Sequence, residues 1–192
     1  MLQRCHWVGD YAPMIDYHDR EWGVPCHDDR LLWEYLVLDI FQAGLSWRTM
    51  IAKRENFRKA FDGFDVESNA RISPERVEAL MNNPGIIRNR LKIEATLTNA
   101  RVFLKIVEEK GSFAAFLWDF VEGRPIVNHW ERPEEIPART ALSDLISREL
   151  RHRGFRFTGS TMVYAFIQGA GLVNDHLVSC FRYHQIIDGY GR

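Results

Sequence analysis

The stretch TALSDLISRELRHRGFRFTGSTMVYAFIQGA, residues 140–170, contains two helical patterns separated by a short turn. Apolar residues recur three and four positions apart on both sides of the turn GFRFTGST (154–161), as they do on one face of an α-helix. Gly154 can end the first helix, and Gly159 stands directly before the second. Two helices joined in this way predict a helix-hairpin-helix over about residues 140–171, which would hold one nucleic-acid strand without reading its sequence.

The amide groups at the start of the second helix are the chemical reason for this prediction. They have no partner within the helix and carry the positive end of its dipole, so they can bind a phosphate oxygen. We therefore expect Gly154, Gly159, Ser160 and Thr161 to contact DNA. An ordinary corner between two helices, closed by a glycine, would have the same sequence and is the alternative.

Basic residues are concentrated in three segments of the chain. Any one of them can be a solvated helical face, but together they favour a surface that binds phosphates. The three groups are Arg48, Lys53, Arg54, Arg58 and Lys59; Arg88, Arg90 and Lys92; and Arg148, Arg151, Arg153 and Arg156. We expect Lys53 and Lys92 to lie at the surface or on phosphates.

The rest of the chain has the same helical spacing, which predicts an all-α fold in a single compact domain over residues 1–192. Capping residues and glycines predict helices over about 28–41, 46–61, 73–81, 89–110, 112–121, 140–153, 160–170 and 174–180. Only residues 122–137, which contain three prolines, are expected to be extended. The chain after about residue 183 is expected to be frayed.

Composition excludes several classes of protein. The chain is 46% hydrophobic with a net charge of -1, which is not typical of a disordered, collagen-like or polybasic protein. No apolar run approaches the roughly 18 residues of a membrane span, and the N-terminal residues are too polar for a signal peptide. Three cysteines are too few for a disulfide framework. These features predict a reduced cytoplasmic protein with no membrane partner and no evident obligate protein partner.

Two cysteines and two histidines near the chain ends make a candidate metal site. His176 and Cys180 are four residues apart and would share a helical face, and Cys5 and His18 lie near the N-terminus. Such a set suits one tetrahedral zinc ion with no open position, hence a structural ion that joins segments 1–18 and 174–184. The four can also be unrelated residues, and the spacing leaves the alternative ligands Cys26, His27 and His6 open.

Four long blocks of sequence resemble the bacterial DNA-3-methyladenine glycosylase I family over nearly the whole chain. The blocks are RCHWVGDYAPMIDYHDREWGVP (4–25), FQAGLSW (41–47), PGIIRNRLKIEATLTNA (84–100) and RGFRFTGSTMVYAFIQGAGLVNDH (153–176). The resemblance implies a helix-hairpin-helix enzyme of base-excision repair that flips 3-methyladenine out of alkylated double-stranded DNA and hydrolyses its N-glycosidic bond without cutting the strand.

The resemblance also assigns roles to individual residues. It places the zinc ligands on Cys5, His18, His176 and Cys180, and the aromatic residues of the base pocket on Tyr17 and Trp47, with Trp7 and Trp22 close by. Gly44 and Leu45 match the loop that enters the DNA at the lesion.

One position departs from the family pattern. Asp39 stands where family members carry a pocket glutamate, so its carboxylate is one methylene shorter. We expect Asp39 to recognise the cationic base by hydrogen bonding and charge. The alternative is that it caps or solvates a helix end. Asp175 lies next to a zinc ligand in sequence, and we expect it to organise the metal site or cap a helix.

Two other functions remain open at this point. One is a non-catalytic module that binds alkylated or distorted DNA, which the hairpin and the basic segments would serve equally well. The other is a zinc hydrolase acting on a small substrate. That activity needs an open position on the metal, and four protein ligands leave none.

Overall fold

The computed structural model describes residues 2–190, and this part of the chain is mostly helical. Residues 1, 191 and 192, which belong to the predicted domain, lie outside the described residues. The α-helices are α1 (Ala12–Arg20), α2 (Asp29–Gln42), α3 (Trp47–Ala60), α4 (Val66–Ala70), α5 (Pro74–Met81), α6 (Arg90–Lys110), α7 (Phe113–Trp118), α8 (Ala141–Arg153), α9 (Ser160–Gly169) and α10 (Phe181–Tyr190). Two short strands, β1 (Ile126–Val127) and β2 (Val173–Asn174), pair in parallel, with Ile126 opposite Val173. The prediction of a helical fold is confirmed.

Side-chain caps explain why the helices begin where the sequence predicts. The side chain of Asp28 accepts a hydrogen bond from the Leu31 amide at 2.8 Å, and Ser46, Ser73 and Asn89 do the same for α3, α5 and α6. Each bond satisfies an amide group that has no partner within its helix. Local sequence therefore fixes these boundaries.

Helix α2 forms the centre of the molecule. Every residue from Leu32 to Phe41 is buried, and the helix contacts α3, α6, α7 and α9. A helix that is buried all round belongs to the core, so Asp39, the acid in its last turn, lies in the interior.

A buried ion-pair network fixes α1 and α2 against α3. The guanidinium of Arg54 on α3 donates to both carboxylate oxygens of Glu21, at 2.8 and 2.7 Å, and also to Glu34 on α2. Tyr35 donates to Glu21 as well. Burial lowers the pKa of the Arg54 guanidinium, but the carboxylates of Glu21 and Glu34 have the larger combined effect and raise it. The network holds the middle of α3 beside the end of α1.

The C-terminal part of the chain differs from the prediction. Residues 174–180 are not a helix, because residues 173 and 174 form β2 and His176–Cys180 follow in turns. The expected frayed tail is also wrong, since α10 runs from Phe181 to Tyr190. The pairing of β2 with residues 126–127, far away in sequence, overrides the local helical pattern. No helix within residues 2–190 is long and apolar enough to cross a membrane.

Candidate functional site

A cavity of about 370 Å³ opens between α1, α2, α3 and α9. All five residues that the sequence analysis assigns to base binding line it, although they come from separate parts of the chain. The residues are Trp7, Tyr17, Trp22, Asp39 and Trp47, joined on the walls by Gln42, Arg48, Ala165 and Gln168.

The aromatic side chains of the cavity support one another. The ring centroids of Tyr17 and Trp47 lie 5.4 Å apart, and those of Trp7 and Trp22 lie 5.0 Å apart at an angle of 75°. Such tilted and edge-to-face contacts are favourable geometries for aromatic pairs. They give the cavity rigid aromatic walls suited to a flat ligand.

Asp39 is a buried acid without a protein partner. Its side chain is 7% exposed and forms no hydrogen bond or ion pair with any residue among 2–190. Burial raises the pKa of this carboxyl well above its usual range, because the charged form loses its hydration. The neighbouring Tyr17 is also buried, and burial together with the charge of Asp39 raises the pKa of its phenol. Asp39 thus caps no helix within residues 2–190 and faces the cavity without a partner, and a cationic ligand would supply that partner.

The four predicted metal ligands meet in one buried cluster. The ligand atoms of Cys5, His18, His176 and Cys180 all lie within 4.8 Å of one another. Three sulfur–nitrogen distances are 3.6 Å (Cys5 to His176), 3.5 Å (Cys180 to His18) and 3.5 Å (Cys180 to His176). Two ligands of a tetrahedral zinc, at its usual bond lengths to sulfur and nitrogen, are about 3.6 Å apart. The donor set therefore fits a closed tetrahedral metal site.

Both imidazole rings are oriented by their second nitrogen atom. His18 Nδ1 lies 2.8 Å from a carboxylate oxygen of Asp19, which is itself paired with Arg4. His176 Nε2 lies 3.0 Å from the carbonyl oxygen of Trp22. Partners of this kind fix the tautomer and direction of a metal-binding histidine. The cluster has the outer contacts that a metal site requires.

The alternative ligands lie outside the cluster. Cys26 Sγ contacts the carbonyl oxygen of Asp28, and the ring of His27 stacks on Trp118 at 4.5 Å. His6 is exposed. None of the three belongs to the cluster.

Asp175 does not organise the cluster, contrary to the prediction. Its buried carboxylate accepts hydrogen bonds from Asn128, Trp130, Tyr164 and Gln168, at distances between 2.5 and 2.8 Å. The reason is that Asp175 follows β2 and faces α9 and the chain after β1. It contacts Gln168, which lines the cavity.

The turn between α8 and α9 is held from three sides. Gly154 ends α8 with φ +104°, a conformation that favours glycine. Asn99 on α6 clamps the backbone of Arg156, since its Nδ2 donates to the carbonyl oxygen and its Oδ1 accepts from the amide. Ser147 donates to the carbonyl oxygen of Thr158. The turn is thus a rigid feature of the surface.

The predicted DNA contacts lie at the start of α9. A Cβ atom at Gly159 would meet no atom within 4 Å, so the approach to the helix end is open. Thr161 is exposed, whereas the hydroxyl of Ser160 is bonded to Ser143 at 2.8 Å. The cleft beside the turn is lined by Arg151, Arg156 and the side chain of Thr158, whose buried hydroxyl has no partner within the described chain.

The loop between α2 and α3 presents an apolar side chain to solvent. Gly44 has φ +86°, and Leu45 is 37% exposed. Lys92 supports this loop from below, because its Nζ donates to the carbonyl oxygens of Phe41 and Ala43 at 3.1 and 3.3 Å. Lys92 is 7% exposed, so its expected place at the surface is wrong.

Three residues of these sites were missed by the sequence analysis. Gln168 and Asn99 lie inside the quoted blocks, but only the tertiary contacts reveal their partners. Phe157 lies in the turn with φ +61° and is 45% exposed, which is unusual for a bulky residue. That conformation is not encoded by a glycine and leaves no sequence signal.

Comparison with known proteins agrees with this arrangement. Residues 7–183 match the family described as methyladenine glycosylase. The chain is 45% identical over 182 residues to DNA-3-methyladenine glycosylase 1 of Escherichia coli (strain K12), covering 95% of this chain and 97% of that protein. It is 44% identical over 180 residues to the DNA-3-methyladenine glycosylase of Haemophilus influenzae, covering 94% and 97%.

Solved structures give the same result. The structure superposes on a crystal structure of 3-methyladenine DNA glycosylase I with a TM-score of 0.89 and 47% identity, covering 93% of this chain and 98% of that chain. A structure that describes 3-methyladenine recognition by the Staphylococcus aureus enzyme has a TM-score of 0.90 at 33% identity, covering 94% and 96%.

Proposed function

This chain belongs to the methyladenine glycosylase family, and on that premise we propose that it is a DNA repair enzyme that hydrolyses the N-glycosidic bond of 3-methyladenine. The observation that carries the proposal is the unpartnered carboxyl of Asp39 within aromatic walls. Methylation at N3 makes the base of the nucleotide cationic. A cation gains energy from the aromatic faces and from a carboxylate, whereas neutral adenine gains no such charge term.

Base flipping brings the lesion into the cavity in this proposal. A damaged, weakly paired base costs less to take out of the stack than a normal one. Leu45, which is exposed on the loop after α2, is placed to fill the vacated space, as apolar wedges do in other proteins that deform DNA. The loop is backed by Lys92, so it can hold its position against the duplex.

The reaction needs little acid catalysis, because the positive charge already weakens the glycosidic bond. The electron pair of that bond passes to the departing base, a water oxygen bonds to C1′ of the sugar, and the proton of the water is released. No lysine lines the cavity in the described part of the chain, which supports hydrolysis without a Schiff base and therefore without strand cleavage.

We also propose roles for the two remaining features. The segment of about residues 140–171 acts as a helix-hairpin-helix in which Gly154, Gly159, Ser160 and Thr161 face the phosphates of double-stranded DNA. Cys5, His18, His176 and Cys180 hold one structural zinc ion that joins the terminal segments of a single domain. Four protein donors leave no position for a substrate, which argues against a zinc hydrolase. The free thiols and the DNA substrate favour the cytoplasm.

Release of the base from methylated duplex DNA tests the proposal. The purified chain should release free 3-methyladenine and leave abasic sites that become strand breaks only after alkali treatment. A non-catalytic binding module would bind the same duplex and leave no abasic sites. Strand breaks formed before alkali treatment would contradict the hydrolytic mechanism.

A further inference from the structure

Gln168 contributes an amide side chain to the wall of the base cavity. It lies on α9 and lines the cavity together with Ala165. Its Nε2 donates to Asp175 Oδ2 at 2.7 Å. Within residues 2–190 no donor bonds to its Oε1, so this acceptor is free for a ligand.

Asp175 fixes which end of the Gln168 amide faces it. A carboxylate accepts hydrogen bonds and donates none, so only the NH₂ group of Gln168 can face it. The carboxylate cannot turn away, because Asn128 and Trp130 donate to Oδ1 while Tyr164 donates to Oδ2. Asp175 is 1% exposed, and water does not compete for these bonds.

The attraction between the charge of Asp39 and the charge of the lesion does not by itself identify the base. 3-Methyladenine and 3-methylguanine nucleotides are both cationic, so the charge term is the same for both. The two bases differ at position 6, where adenine carries an amino group that donates and guanine carries a carbonyl oxygen that accepts. A fixed acceptor in the wall of the cavity would separate them.

We propose that Gln168, oriented by Asp175, selects adenine over guanine by accepting a hydrogen bond from the amino group at position 6. The inference rests on the proposed function and adds a residue that contributes to its base specificity. With guanine, two oxygen atoms would face each other and both would lose their hydrogen bonds to water. A cavity that leaves buried polar groups unpaired rejects a ligand more strongly than one that only fits its shape. Gln168 contacts the base, and Asp175 is a positioning residue.

The ratio of 3-methyladenine to 3-methylguanine released from one sample of methylated DNA tests this inference under single-turnover conditions. Gln168→Leu keeps the size of the side chain and removes the acceptor, and it should lower the ratio by about tenfold. Gln42→Leu is the matched control, since Gln42 is the other amide on the cavity wall and donates to the Leu45 carbonyl oxygen. It should slow the release of both bases and leave the ratio unchanged.

Asp175→Asn tests the positioning role. The NH₂ group of the asparagine can donate to Gln168 Oε1, so the Gln168 amide can turn its own NH₂ group inward, and Tyr164 can accept where it donated before. The ratio should fall below that of Gln168→Leu, and the rate for 3-methylguanine itself should rise. If Asp175→Asn kept the parental ratio of released bases while Gln168→Leu lowered it, Asp175 would have no positioning role. A parental ratio in Gln168→Leu overturns the whole inference.

Titration of the free bases separates this inference from the proposed function. Calorimetry with free 3-methyladenine and free 3-methylguanine needs no catalysis. One outcome is that the parent releases no base from DNA but binds free 3-methyladenine more tightly than free 3-methylguanine, and that Gln168→Leu loses this preference. That outcome would contradict the proposed glycosylase function and support the inference about selectivity. Equal affinity of the parent for the two free bases, with active excision, would refute the inference alone.

Discussion

At the residue scale, the sequence predicts the position of Asp39 but not the environment of its side chain. The quoted block around FQAGLSW indicates the carboxylate and its departure from glutamate. Its isolation is a tertiary property, since α2 is buried all round and supplies no donor to this side chain. The same holds for Asp175, whose sequence position beside His176 indicates a metal role that its four contacts contradict.

Asp39→Asn should weaken excision of 3-methyladenine by about ten- to a hundredfold, because it keeps the shape but loses a charge-assisted hydrogen bond worth about 1.5–3 kcal/mol. Asp39→Glu restores the family residue and should keep activity. Single-turnover excision from methylated DNA measures both. Trp47→Ala is the control, because it removes a stacking surface and should impair excision whatever the charge at position 39. Parental excision by Asp39→Asn would leave recognition to the aromatic rings.

The raised pKa of Asp39 also predicts a pH dependence. Burial favours the protonated form of Asp39 in the folded protein. The contribution of this carboxyl to stability is therefore present at low pH and is lost as the pH rises through the folded-state pKa. Asp39→Asn should therefore be more stable than the parent at neutral and alkaline pH, and the difference should vanish in acid. Affinity for the cationic lesion should fall with falling pH in the parent only. Thermal melts and binding measured from pH 4 to 9 would check both, and parallel pH profiles for the two proteins would contradict the assignment.

At the scale of the element, local signals predict the helices well and the connections poorly. Asp28, Ser46, Ser73 and Asn89 cap their own helices, so their effect is encoded within a few residues. The helix predicted over residues 174–180 fails because β2 finds its partner about 47 residues away, which no local pattern contains. The α8–α9 turn shows both kinds of signal. Its glycines can be recognised in the sequence, whereas its hydrogen bonds to Asn99 appear only in the folded structure.

Gly159→Val tests the hairpin as a phosphate anchor. The Cβ would meet no protein atom and φ is ordinary at -67°, so the variant should fold, yet its side chain blocks the open end of α9. We expect binding to any duplex, damaged or not, to weaken by about tenfold through lost hydrogen bonds to phosphate. Fluorescence anisotropy across a salt series measures the affinity for duplex DNA. Gly189→Val on α10 makes the same chemical change outside the hairpin and should bind as the parent does. Equal affinities for all three proteins would place the anchor elsewhere.

At the scale of the whole molecule, the Cys/His cluster brings together distant parts of the chain and contacts the aromatic wall of the cavity. His18 stacks near Trp22 at 18° with ring centroids 6.2 Å apart, and His176 meets Trp22 edge to face at 4.6 Å. Spacing alone left Cys26 and His27 as possible ligands, and the resemblance indicated the set that the fold assembles. The helical face expected for His176 and Cys180 is wrong, since turns bring the two together.

Cys180→Ala should lose zinc and lower the Tm by about 10 °C, because metal binding is coupled to folding. A chelator should lower the Tm of the parent and leave Cys180→Ala almost unchanged. Cys26→Ala is the matched control: it removes a buried thiol outside the cluster and should keep about one zinc per chain. Elemental analysis and thermal melts measure these effects. Full zinc content in Cys180→Ala would contradict the ligand set.

The separation of the ligands along the chain has a consequence for biosynthesis. Cys5 and His18 are translated long before their partners, since His176 lies 171 residues after Cys5 and Cys180 follows it. A nascent chain on the ribosome therefore has only two of the four side chains of the cluster available until residue 180 has left the exit tunnel. Gln168 and Ala165, on the far wall of the cavity, also emerge late. Translation must pass all of these residues before the cavity can close, so a prematurely terminated product would lack both the complete Cys/His cluster and the closed cavity.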